Sequence, residues 1–177
     1  MCGFARRCNK SRMASLNHPQ KNQVIALADE SATEAFGEQI ANGLKAGDFI
    51  ALDGELGAGK TSIVRGLARG LGIDPQVVAS PTYVTMQSYS GGRLPLIHID
   101  VWKMKDLQEL ETIGWDELLA DRSHVIVVEW AKKIAGALPR KKLQIEIEFC
   151  KSNATSDLSQ SQDSRRATVV DHRFFPA

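Results

Sequence analysis

Residues 54–61 read GELGAGKT. Glycines, a lysine and a hydroxyl at this spacing suit one task, holding a polyphosphate. Gly54, Gly59, Lys60 and Thr61 fill the pattern G-x-x-x-x-G-K-[ST] without a mismatch. Residues without side chains let successive backbone N–H groups turn inward around an anion. A helix beginning at Lys60 would aim its positive N-terminus at the same phosphates. Lys60 supplies a point charge for the β- and γ-phosphates, and the Thr61 hydroxyl can hold Mg²⁺.

Such a loop needs a carboxylate at the end of another strand to complete the Mg²⁺ site. Glu129 ends the apolar run VIVVE and Asp100 ends LPLIHID. A carboxylate just past an apolar run is costly unless a cation or donors satisfy it. We assign Glu129 to Mg²⁺, directly or through water. Asp100 goes to the outer metal shell or to orienting the attacking water. Alternation puts Leu96, His98 and Asp100 on one strand face. His98 can relay protons or simply be a satisfied strand histidine, and the second reading is preferred. Ser80, Pro81, Thr82 and Tyr83 follow the glycine-loop helix. Pro81 keeps Ser80 out of a helix, so the Thr82 hydroxyl can approach phosphate or metal; an ordinary Ser-Pro turn fits equally well. Trp130, beside Glu129, is either a stacking platform or a packing residue.

The elements that must position these groups follow from periodicity. Residues 24–28 read as a strand. A capping box, Ser31 with Glu34 three residues on, opens a helix with Ala32, Phe36, Ile40 and Leu44 on one stripe. Residues 49–53 form a buried strand, and residues 60–71 a helix with Ile63, Val64, Leu67 and Leu71 inward, stopped by Gly72. Residues 83–89 and 94–101 are strands joined by a hairpin at Gly91 and Gly92. A helix is expected over residues 106–119 and a β-branched strand over 125–129. Residues 143–149 alternate strictly, which gives a strand with one wet face. Residues 167–170 add a short last strand, paired as a hairpin with the one before. The fold class is α/β. It is expected to be a single P-loop NTPase domain with a largely parallel central sheet flanked by helices, and antiparallel strands at the C-terminal end.

Length and composition agree. The 177 residues, 43% hydrophobic and 24% charged, suit one soluble domain and exclude wholesale disorder. No stretch approaches the ~18 apolar residues of a membrane span. Three scattered cysteines, Cys2, Cys8 and Cys150, form no disulfide framework or zinc pattern. The net charge of +1 conceals an uneven distribution. Residues 1–28 carry five basic and no acidic groups, whereas residues 29–150 carry 13 basic and 18 acidic. We expect a flexible basic arm at residues 1–22 and the domain over 23–177, with a flexible polar loop at 151–164. Met13 is an alternative start. An acidic body grips RNA poorly, which favours docking on a protein.

The ordered set GELGAGKT, SPTY, HIDVWK, Glu109-Leu110 with Gly114, Glu129-Trp130 and Leu138-Pro139 resembles the TsaE family, the small ATPases of tRNA threonylcarbamoyladenosine biosynthesis. The resemblance spans about residues 24–149. It implies a cytoplasmic protein that binds and hydrolyses ATP with Mg²⁺. It also implies the partners TsaD and TsaB, which modify adenosine 37 of tRNAs reading codons that begin with A. The tRNA would be reached indirectly, through that complex. Carried over, Leu56, Gly57, Ala58, Gly59, Lys60 and Thr61 form the ATP cradle, and Thr61 and Glu129 the Mg²⁺ ligands. Asp100 and Lys60 serve turnover, and Thr33 lies near the adenine. The family pattern H-x-D-x-Y-R is altered, because Trp102 and Lys103 replace Tyr and Arg. Lys103 keeps the charge but not the bidentate fork.

Two other functions compete. A small P-loop kinase would phosphorylate a metabolite, but it normally brings an arginine-bearing lid, and between Lys103 and Glu129 the only arginine is Arg122. A nucleotide-dependent binding module would hydrolyse negligibly.

Overall fold

A computed structural model of the chain describes residues 22–83, 85–150 and 164–173. The expected arm and polar loop lie outside them, except for Asn22 and Ser164. Seven strands form one sheet in the order β1-β7-β6-β2-β5-β4-β3. The ranges are β1 Gln23–Leu27, β2 Phe49–Gly54, β3 Met86–Tyr89, β4 Leu96–Asp100, β5 Val125–Glu129, β6 Leu143–Phe149 and β7 Arg165–Asp171. The middle strands β6, β2, β5 and β4 are parallel. The C-terminal hairpin β6–β7 is antiparallel, as expected. Antiparallel pairing also closes the rest of the sheet, β1 on β7 and β3 on β4. The six residues between β3 and β4 are too few for a parallel crossover.

Helices α1 (Glu30–Asn42) and α2 (Lys60–Leu71) cover one face. Phe36, Ile40, Ile63, Leu67 and Leu71 pack there on Ile50, Leu52, Leu96, Val127 and Ile145. The other face buries Ala51, Ile99, Val128, Trp115 and Ile134 beneath short helical turns. Glycines allow α1 and α2 to approach closely. A Cβ on Gly66 would stand 2.0 Å from the Glu34 carbonyl oxygen, and one on Gly37 2.2 Å from that of Ile63.

Several boundaries differ from the sequence reading; β1 and β7 shift or lengthen by one or two residues, and larger differences follow. Helix α1 starts earlier, capped by Asp29, whose Oδ1 accepts from the Ala32 N–H at 2.7 Å. The extended Asp29 backbone supplies the cap that Ser31 was expected to give. Glu34, freed from a capping box, pairs with Arg69 at 2.7 Å. The helix expected over 106–119 is broken. A 3₁₀ stretch, Leu107–Ile113, ends at Gly114 (φ 66°), and only Trp115–Ala120 is α-helical, here α3. The strands expected over 83–89 and 94–101 shorten to β3 and β4; the left-handed backbone of Thr85, φ 67°, whose N–H donates to the Pro81 carbonyl at 2.6 Å, delays the start of β3 to Met86.

Candidate functional site

The carboxyl ends of β2, β4 and β5 converge where the glycine loop enters α2, the usual ligand position in an open α/β sheet. Gly54 ends β2 with φ 154°, and a Cβ there would meet the Ile147 carbonyl oxygen at 2.3 Å, so the loop leaves the sheet only through glycine. Gly57 and Gly59 have φ 78° and 104°. Leu56, Gly57, Gly59, Lys60 and Thr61 line a cleft of about 330 Å³ together with Ser80, Thr82, Asp100, Trp102, Glu129 and Trp130. Ala58 is buried, its N–H donating to the Glu55 carbonyl at 3.1 Å.

The two strand-end carboxylates are brought side by side by register. In the parallel pair β4–β5, Asp100 stands opposite Glu129 and His98 opposite Val127. Asp100 and Glu129 are both buried. The Thr61 hydroxyl donates to Glu129 Oε1 at 2.9 Å, and His98 Nε2 lies 2.9 Å from the same oxygen. Asp100 Oδ1 accepts from the Trp102 N–H at 2.8 Å. Its Oδ2 accepts from the hydroxyls of Thr82 and, at 3.2 Å, Ser80. Thr82 therefore contacts Asp100, which spacing alone did not reveal.

Lys60 is buried, its ammonium donating to the Gly54 and Glu55 carbonyls at 2.8 and 2.9 Å. It also sits 3.7 Å from the centre of the Trp130 ring. Burial pushes the Lys60 pKa below its ordinary value, and the charges of Glu129, Asp100 and Asp53 offset part of that shift. Trp130 adopts a left-handed backbone, φ 63°, and stacks at 4.3 Å on Trp102. It is thus a platform for the lysine and for a second tryptophan. Lys103 lies 3.6 Å from the centre of the Tyr83 ring.

Thr33 falls behind the loop. It is fully buried, its hydroxyl donates to the Asp29 carbonyl at 2.8 Å, and its methyl would lie 3.3 Å from a Cβ on Gly59. It lines neither this cleft nor a second one of about 940 Å³. The second cleft is bounded by Asp53, Glu55, Trp130, Phe149 and Arg166, among others. Asp53 there accepts from the Lys132 N–H at 2.9 Å, and its burial raises its pKa above the usual carboxylate value.

The His98 contact with Glu129 was missed. Alternation placed His98 and Asp100 on one face, but the partner depended on the β4–β5 register. Only one ring nitrogen is satisfied, since Nδ1 is buried without a partner. Among the described residues no three His, Cys, Asp or Glu side chains gather as a metal cage. A hydroxyl with one or two carboxylates is nonetheless a donor set that suits Mg²⁺, which takes hard oxygens and usually draws the rest of its shell from water and substrate phosphates. The open, glycine-built loop beside a buried lysine fits a polyphosphate in the same way.

An α/β sheet with a glycine loop and two carboxylates at its carboxyl edge defines the class of protein. Residues 27–157 match the family described as "Threonylcarbamoyl adenosine biosynthesis protein TsaE". The tRNA threonylcarbamoyladenosine biosynthesis protein TsaE of Bacillus subtilis is 44% identical over 116 residues, covering 66% of this chain and 71% of that protein. The protein of the same name from Synechocystis is 39% identical over 111 residues, covering 61% and 69%. The crystal structure of YdiB from Bacillus subtilis superposes with a TM-score of 0.69 at 32% identity, covering 88% of this chain and 89% of that one. The chain belongs to the TsaE family and so to tRNA threonylcarbamoyladenosine biosynthesis. Among the described residues no helix is long and apolar enough to cross a membrane.

Proposed function

We propose that this chain is a Mg²⁺-dependent ATPase subunit that works with TsaB–TsaD in the threonylcarbamoylation of adenosine 37, in tRNAs reading codons that begin with A. The observation that carries the reading is the contact of the Thr61 hydroxyl with Glu129, beside Asp100, at the mouth of the glycine loop. When bound, Mg²⁺ would supply positive charge to offset the charge that develops on the phosphates. Thr61 and Glu129 would hold it. Residues 56–61 would cradle the phosphates through backbone N–H groups, and Lys60 would supply their counter-charge. Asp100, already fixed through both oxygens, would orient water without needing to reorganise. Trp130 keeps the lysine over its ring.

The test is Mg·ATP hydrolysis by the purified chain, alone and with TsaB–TsaD, together with co-purification of the three proteins with and without nucleotide. Turnover that rises with the partners and vanishes in Lys60→Ala is expected. Hydrolysis no greater than that of Lys60→Ala with authentic partners would overturn the proposal. Transfer of phosphate to a small acceptor would favour the kinase reading instead.

A further inference from the structure

His98 is fully buried in β4, yet its ring nitrogens are treated unequally. Nε2 meets Glu129 Oε1 at 2.9 Å, and Nδ1 has no partner. The same Oε1 takes the Thr61 hydroxyl, so every hydrogen bond to this carboxylate among the described residues falls on one oxygen. A carboxylate oxygen accepts, so Nε2 carries the hydrogen of this contact. Leu96 precedes it on the same face and Val127 lies opposite in β5, while in β3 Gln87 is its register partner and the Tyr89 ring centre is 6.3 Å away. A leucine would pack on these neighbours and leave no polar atom stranded. Among the described residues the ring's one hydrogen bond is to Glu129.

We infer that His98 is a positioning residue for the cation site: its Nε2–H fixes the Glu129 carboxylate through Oε1 and reserves Oε2 for Mg²⁺. The inference rests on the Mg²⁺-nucleotide reading above. Two donors on one oxygen limit rotation of the carboxylate, which is how outer partners of a metal ligand usually act. His98 would touch neither nucleotide nor cation. Its loss should appear in how much Mg²⁺ is needed, not in how the loop grips phosphate.

The experiment measures binding of a fluorescent ATP analogue to the full chain, first in EDTA and then across a Mg²⁺ titration. His98→Leu should raise the Mg²⁺ half-saturation about 10–100-fold, the usual cost of losing such a partner. Affinity in EDTA should stay at the wild-type level. His98→Gln, whose amide N–H reaches a similar place, should restore most of the Mg²⁺ response. A wild-type Mg²⁺ titration in His98→Leu, equal losses with and without Mg²⁺, or no rescue by glutamine would each overturn the assignment. If His98→Leu does not fold, histidine nitrogen NMR of the wild-type protein decides. The Nε2–H tautomer is expected, and an Nδ1–H tautomer overturns the contact. If the wild-type protein gains nothing from Mg²⁺, the nucleotide reading fails and takes this inference with it. That result is distinct from a defect confined to the variants.

Discussion

Replacing Gly66 by alanine tests whether the close approach of α1 and α2 stabilises the fold. Gly66 lies inside α2, where alanine gains about 1 kcal/mol of helix propensity over glycine. Without tertiary structure, Gly66→Ala should therefore stabilise. The added Cβ, however, would stand 2.0 Å from the Glu34 carbonyl oxygen, 2.8 Å from its carbon and 2.9 Å from the Glu38 nitrogen. All three are backbone atoms of α1, so no side chain can swing aside. Contacts below 3.0 Å essentially never occur for a Cβ, so α1 must retreat by about 1 Å. A gap of that size forfeits roughly a quarter to a half of the dispersion well for each affected contact. Phe36 and Ile40 on one helix and Ile63 and Leu67 on the other share the cluster that would loosen. Overpacking of this sort costs about 1–3 kcal/mol. Rigid backbone contacts belong at the upper end, so a net loss of roughly 2 kcal/mol remains after the propensity gain. At this chain length that lowers Tm by about 4–8 °C. Urea unfolding with an unchanged m-value is the assay. Gly43→Ala is the control, because its backbone is not left-handed (φ −97°) and its nearest contact is an ordinary 3.7 Å. It should be neutral or stabilising by about 0.4–1 kcal/mol. A Gly66→Ala protein as stable as the wild type would refute the reasoning.

Three further outcomes are expected. Lys60→Ala should lower ATP turnover by about 10²-fold or more, because the phosphate charge loses its cation; steady-state hydrolysis checks this, and unchanged turnover would displace Lys60 from the site. Asp100→Asn keeps the shape and the acceptor for the Trp102 N–H, so it should reduce turnover while calorimetric ATP binding persists; weakened binding would move Asp100 into direct contact with the ligand. Asp171→Asn should cost roughly 1.5–3 kcal/mol at neutral pH, since Arg173 donates to both carboxylate oxygens, at 2.9 and 2.6 Å. Burial alone would raise the Asp171 pKa, but the Arg173 hydrogen bonds and charge outweigh it and hold the carboxyl below its ordinary 3.8. A depressed carboxyl stabilises the fold above its unfolded pKa and loses that contribution as pH falls through its folded pKa. The gap between wild type and variant should stay constant from neutrality to about pH 4 and close below it. Urea midpoints across pH would show this, and a gap that widens in acid contradicts it.

Much of this protein was legible along the chain. The glycine spacing, the strand before it and the amphipathic helix after it are local patterns. Each depends on residues within a turn or a strand, so residues 49–71 have the structure their sequence predicts. The β-branched run of β5 and the alternation of β6 were readable for the same reason. Local signals failed where two of them competed. Asp29 and Ser31 could each cap α1, and the extended backbone at Asp29 decided. The helix expected over 106–119 had the composition but broke at Gly114, where the left-handed backbone suited glycine.

The sequence by itself determined a loop that can hold phosphate, with carboxylates at the ends of two strands. Only the tertiary structure decided that Asp100 and Glu129 are neighbours, through a parallel register between strands whose ends lie 29 positions apart. It also decided that Thr61 and His98 meet on one oxygen of Glu129, and that Thr82 and Ser80 hold Asp100. The same holds for the tryptophan platform beneath Lys60 and the glycine seam between the helices. These are contacts between distant segments. Their geometry is set by the packing of α1 and α2 on the sheet, and periodicity along the chain carries no record of which strand lies beside which.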